Sequence, residues 1–142
     1  MGKQSERRDL AEKQVKLLLD THTIVWFMND SPRLSRHARA AILLPSNPAF
    51  ASAASVWEAA TKFRLGRFPE AALLVDNPGK VLVSLEIDAL PLSVEHARLA
   101  GSLVHTHQDP FDRMLAAQAL LEGLTVVSAD VIFDEFAVSR LW

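Results

Sequence analysis

The chain has 142 residues, enough for one domain with a real core and too few for two ordinary ones. It is 49% hydrophobic and 23% charged, and 15 Lys plus Arg against 17 Asp plus Glu give a formal charge of −2, which excludes a global basic field for nucleic acid and leaves any such binding to local patches. It has no cysteine, which excludes disulfides, thiolate ligands and cysteine nucleophiles, so any metal must sit on oxygen or imidazole.

Residues 1–14, MGKQSERRDLAEKQ, are polar and carry neither an apolar signal core nor a repeating apolar face. They are expected to form a flexible extension, with the folded domain over 15–142. No stretch reaches the roughly 20 apolar residues of a membrane span, so a cytoplasmic location is the expectation. The leucine run at 15–19 suits a strand buried on both faces. Thr21 can then cap a helix through Ile24, Val25, Trp26 and Met28, which ends near Asn29-Asp30-Ser31-Pro32.

Ser35 opens a second helix through Ala38, Ala41, Ile42 and Leu44, closed by Pro45-Ser46-Asn47-Pro48. A strand is expected at 48–52, a third helix over 55–65 ending at Gly66, a fourth helix over 78–85 and a strand over 87–92. Ser93 caps a helix over 93–105, with His96 where a capping box wants Glu or Gln. Asp109-Pro110 opens a helix that runs to about Glu122 and is closed by Gly123. A strand at 124–127, a short helix at 131–136 and a last strand at 138–141 complete the chain. This alternation predicts an α/β sandwich with a mainly parallel sheet.

Four acids take comparable positions: Asp20 at the exit of the first strand, Glu58 in SVWEAA, Asp112 in DPFDR, and Asp130 just after LTVVS. Open α/β sheets build their sites at the carboxyl ends of strands, where Asp20 and Asp130 fall. Asp112 shares a helical stripe with Leu115, Ala116 and Ala119, and small residues around Glu58 let its helix approach the sheet. Several convergent carboxylates suit Mg²⁺ or Mn²⁺ and support hydrolysis of a phosphodiester.

Each acid also has a plain structural explanation. Asp20 and Asp130 can cap helices, Asp112 can complement a helix dipole, and Glu58 can pair with Lys62 at i+4. Asp109 is read first as a cap, with metal or water positioning second. His105 and His107 are read as surface or substrate contacts, and His22 as a neighbour of the acids. Trp26, Trp57 and the phenylalanines are read as core.

The segments LLLDTHTIVW, SAASVWEAATKFRLGR, HQDPFDRMLAAQAL and GLTVVSAD, in this order and followed by a terminal LW, resemble the PIN-domain ribonucleases, specifically the VapC-type toxins of bacterial toxin–antitoxin pairs. The resemblance spans about residues 15–142. It implies a PIN-like three-layer sandwich in which Asp20, Glu58, Asp112 and Asp130 form a metal cluster supported by a hydroxyl at Thr21 or Ser128. It also implies Mg²⁺-dependent RNA cleavage, homodimerisation, and inhibition by an antitoxin segment reaching the acidic site. Lys62, Arg64, Arg67 and Arg113 are candidates for the RNA phosphates.

Two departures stand out. Ser128-Ala129-Asp130 replaces the Thr-Arg-Asp frequent in the family, so a cation is lost. Val15-Lys16 stands where the family begins Met-Lys, which suggests a valine start codon and an extension upstream of the true start. Rival readings are a PIN module acting through protein association and a housekeeping PIN nuclease without an antitoxin. A phosphoryl-transfer switch fits less well, because LLLDTH lacks the second Asp two residues on and no late Lys-Pro is present.

Overall fold

The computed structural model describes residues 14–142, so the extension expected over 1–14 lies, except for Gln14, outside the described residues. Among these residues, β1 (Leu17–Leu19), β2 (Ala49–Ser52), β3 (Asp88–Leu90), β4 (Thr125–Val127) and β5 (Arg140–Leu141) form one parallel sheet in the order β3-β2-β1-β4-β5. The helices are α1 (Thr21–Met28), α2 (Arg36–Leu43), α3 (Ala53–Arg64), α4 (Ala72–Asp76), α5 (Pro78–Ser84), α6 (Val94–Ser102), α7 (Pro110–Glu122) and α8 (Ile132–Glu135).

The two-residue period of a strand explains the three leucines of β1. Leu17 and Leu19 join Ile24, Ala38, Ala59 and Leu74 on one face of the sheet, while Leu18 joins Leu115, Ala116 and Phe133 on the other. Helices α1 to α5 thus cover one face and α7 and α8 the other, which is the three-layer α/β/α sandwich the resemblance implies. No described helix is long and apolar enough to cross a membrane.

Several local expectations shift. Asp20, not Thr21, caps α1, its carboxylate accepting from the Thr23 N–H at 2.8 Å; Thr21 is the first helical residue and is buried. Helix α3 starts earlier than predicted because the Ser52 hydroxyl already captures the Ala54 N–H at 3.0 Å. His96 closes its capping box, since Nδ1 accepts from the Ser93 N–H while the Ser93 hydroxyl accepts from the His96 N–H, both at 3.0 Å. The 3₁₀ turn at Pro69–Ala71 and helix α4 have no side-chain cap, which is why no start signal marks them.

Trp57 is not core: it is 58% exposed, and Phe63 is 39% exposed. On α3 a one-residue step from the inward Glu58 turns Trp57 off the buried stripe, where it meets Phe111 edge to face at 4.8 Å.

Candidate functional site

The chain leaves β1 toward β2 on one side and leaves β4 toward β5 on the other, so the carboxyl ends of neighbouring β1 and β4 border a topological switch point. Asp20 follows β1 directly. Its backbone N–H donates to the Val127 carbonyl at 3.2 Å, and the Thr23 hydroxyl donates to the same carbonyl at 2.8 Å, so α1 is stitched to β4 beneath the acid. Ser128, fully buried after β4, accepts from the Asp130 N–H at 3.0 Å, and its hydroxyl favours the ionised form of Asp20. Asp130 itself is exposed and accepts from the Ile132 N–H at 3.0 Å.

Glu58 reaches the same place from α3 and is only 5% exposed. One of its oxygens accepts from the Thr21 hydroxyl and the other pairs with the Lys62 ammonium one turn on. The i+4 pair anticipated as a structural explanation for Glu58 therefore exists, and it sits inside the site.

Asp112 comes from the first turn of α7, where the Asp109 carboxylate accepts from the Phe111 N–H at 2.9 Å and the Asp112 N–H at 3.3 Å. His107 Nε2 lies 2.9 Å from Asp112 Oδ2.

Asp20, Glu58, Asp112 and Asp130 line one cavity of about 420 Å³, with Asp109 and Thr21 beside them. The tightest group among the described residues is not the four acids but His107, Asp109 and Asp112, whose ligand atoms lie within 4.8 Å of one another. The remaining carboxylates line the same cavity as Asp109 and Asp112.

This much negative charge in partial burial is unfavourable by itself. Burial pushes Asp20 up from its ordinary value, against the Ser128 hydroxyl and the Thr23 N–H, which favour the ionised form. Burial also raises Asp112, to about 6, with Asp109 and Glu58 adding repulsion and the His107 hydrogen bond opposing it. A divalent cation would relieve both groups. The donor set, carboxylate oxygens with no sulfur, fits Mg²⁺ or Mn²⁺.

The candidate phosphate contacts separate. Lys62 lines the cavity, whereas Arg64 and Arg67 are exposed residues outside its lining. Arg113 is a correction: its guanidinium does not face the cavity but donates to the carbonyls of Ala100, Leu103, His105 and His107. Arg33, His22 and Trp26 line the cavity as well. Arg33 carried no sequence signal because it stands in the turn between α1 and α2, outside any motif. It brings a cation to a rim where Ala129 brings none.

The PIN domain family model matches residues 17–139. No curated protein sequence matches the chain. Among solved structures, the fold is similar to that in VapBC2 from Rickettsia felis bound to a DNA fragment from their promoter, at 15% identity and TM-score 0.65, covering 89% of this chain and 98% of that one. It is similar to DNA-bound VapBC from Salmonella typhimurium, at 22% identity and TM-score 0.63, covering 91% and 98%. It is also similar to FitAcB from Neisseria gonorrhoeae, at 22% identity and TM-score 0.58, covering 89% and 96%. At these identities the likeness is one of fold.

Proposed function

We propose that this chain, which belongs to the PIN domain family, is a divalent-metal-dependent endoribonuclease and the toxin of a VapC-type toxin–antitoxin pair. The observation that carries the reading is the meeting of Asp20, Glu58, Asp112 and Asp130 around one cavity at the switch point of the sheet. These four carboxylates would hold Mg²⁺ or Mn²⁺, with Asp109 and Ser128 supporting them. When bound, the cation supplies charge neutralisation at the phosphodiester and makes the attacking water easier to deprotonate.

The chain's own groups do the rest. Thr21 holds one Glu58 oxygen and Lys62 the other, so the orientation of that carboxylate is set before RNA arrives. Lys62 and Arg33 bring positive charge to the cavity that an entering phosphate would meet, while Arg64 and Arg67 are exposed cations outside its lining. A cytoplasmic setting, a homodimer and a cognate antitoxin belong to the same proposal. The toxin role is supported by the fold shared with chains of VapBC complexes.

The test is cleavage of RNA by the purified chain with Mg²⁺, with and without chelator, beside Asp20→Asn. Asparagine caps a helix as well as aspartate does, so the variant should fold normally and lose cleavage and growth arrest. Full cleavage by Asp20→Asn, or by the parent in excess chelator, would reject the mechanism. A short upstream reading frame whose product binds the chain and restores growth would establish the antitoxin.

A further inference from the structure

Segment 103–109 between α6 and α7 has no regular secondary structure, yet one side chain organises it. Arg113 Nε donates to the Ala100 carbonyl at 2.9 Å and Nη2 to Leu103 at 2.6 Å, while Nη1 donates to His105 at 3.2 Å and to His107 at 3.0 Å. Guanidinium offers its donors in a fixed planar fork, so four carbonyls gathered on one guanidinium define the path of the backbone from the end of α6 to His107. His105 tightens the same segment. Its Nδ1 accepts from the His107 N–H at 2.9 Å, and its ring packs on Phe136 with centroids 4.6 Å apart.

The product of this scaffold is the placement of one imidazole. His107 Nε2 meets Asp112 Oδ2 at 2.9 Å, and the ring stands edge-on to Phe136 with centroids 5.9 Å apart. An ionised carboxylate only accepts hydrogen bonds, so Nε2 carries the proton. Exposed histidine–carboxylate pairs are usually loose and contribute little. Here the side chains are only 27% and 19% exposed, and both residues sit on backbone fixed by other bonds.

We infer that His107 is a positioning residue for Asp112: its Nε2–H holds Oδ2 so that the other carboxylate oxygen faces the cavity, and Arg113 acts through it by fixing segment 103–109. The inference rests on the proposed cation site. A ligating carboxylate is itself commonly held by a hydrogen bond, and losing such a partner typically weakens metal affinity about 10- to 100-fold. A direct ligand role for the imidazole is the less economical reading, because its Nε2 is already engaged by Asp112 and the ring is not part of the cavity lining.

The experiment measures Mn²⁺ affinity of the full chain by electron paramagnetic resonance of the free ion, with far-UV circular dichroism melts to verify folding. His107→Ala should bind Mn²⁺ roughly 10- to 100-fold more weakly. His107→Gln, whose amide Nε2 can also donate to Asp112, should return most of the affinity. Arg113→Lys keeps the charge but loses the planar fork, so it should weaken binding in the same direction and add little to His107→Ala. An alanine variant that binds like the parent, a glutamine variant as weak as the alanine one, or losses that add fully would each overturn the inference while the cation site stands. A parent chain that binds no Mn²⁺ would overturn the cation site and this inference together.

Discussion

Asp112→Asn should make the metal-free protein more stable while removing its activity. The Asp112 carboxyl titrates at about 6 instead of 3.8, chiefly because it is buried and then because Asp109 and Glu58 repel its charge. A rise of that size corresponds to about 3 kcal/mol of disfavour for the ionised form. The folded state binds the proton more tightly than the unfolded chain, so the group's contribution is most favourable below pH 3.8, falls across the window from there to about 6, and stays low above it. Asparagine removes the charge, nearly preserves the shape, and still offers an oxygen to His107 Nε2–H.

In chelator near neutral pH, the variant should therefore gain roughly 1 to 3 kcal/mol, the lower figure allowing for solvent screening of a side chain that keeps some exposure. For a domain of this length that is a rise in melting temperature of roughly 4 to 12 °C, easily read by circular dichroism. The gap between variant and parent should close as the pH falls toward 4, by the same linkage. A variant that melts at or below the parent in chelator, or whose advantage does not shrink in acid, would refute the account of strained charge at this site.

Other outcomes follow from the same geometry. Protons and cations compete for Asp112, so saturating Mg²⁺ should raise the melting temperature more near neutral pH than near pH 5; equal shifts would contradict the value of about 6. Thr21→Val removes a buried hydroxyl from Glu58 and should lower stability by about 1 to 3 kcal/mol in urea titrations, with Thr21→Ser recovering most of it. Gly123→Ala meets no neighbour within 4 Å of its new methyl but must hold a φ of +66°, so it should cost about 1 kcal/mol and leave RNA cleavage unchanged.

How much of this was legible in the sequence depended on whether the signal was local. Helix α7 was predicted to the residue because Asp109, Pro110 and the left-handed Gly123 mark both of its ends. The meeting of the acids around one cavity was legible because Asp20 stands one residue, and Asp130 a few residues, beyond strands that neighbour each other in the sheet. Arg113 was misread because its role depends on four carbonyls in a segment that no periodicity describes. Trp57 was misread because composition favours burying tryptophan, while its place on α3 turns it toward solvent and Phe111. Helix α4 is short and uncapped, so its apolar residues look like any others.

Asp20 follows Leu19 without a spacer and is at once the last residue of the β1 exit and the cap of α1. Such a carboxylate has no hinge: shifting it means dislodging either the central strand or the helix whose first turn it closes. Adaptation to different substrates should therefore accumulate in the turn bearing Arg33, with the β1–α1 junction and the Arg113-held segment carrying His107 and Asp109 inherited as fixed parts. An engineer wishing to retarget the site would randomise that turn and leave residues 17–23 and 103–109 alone.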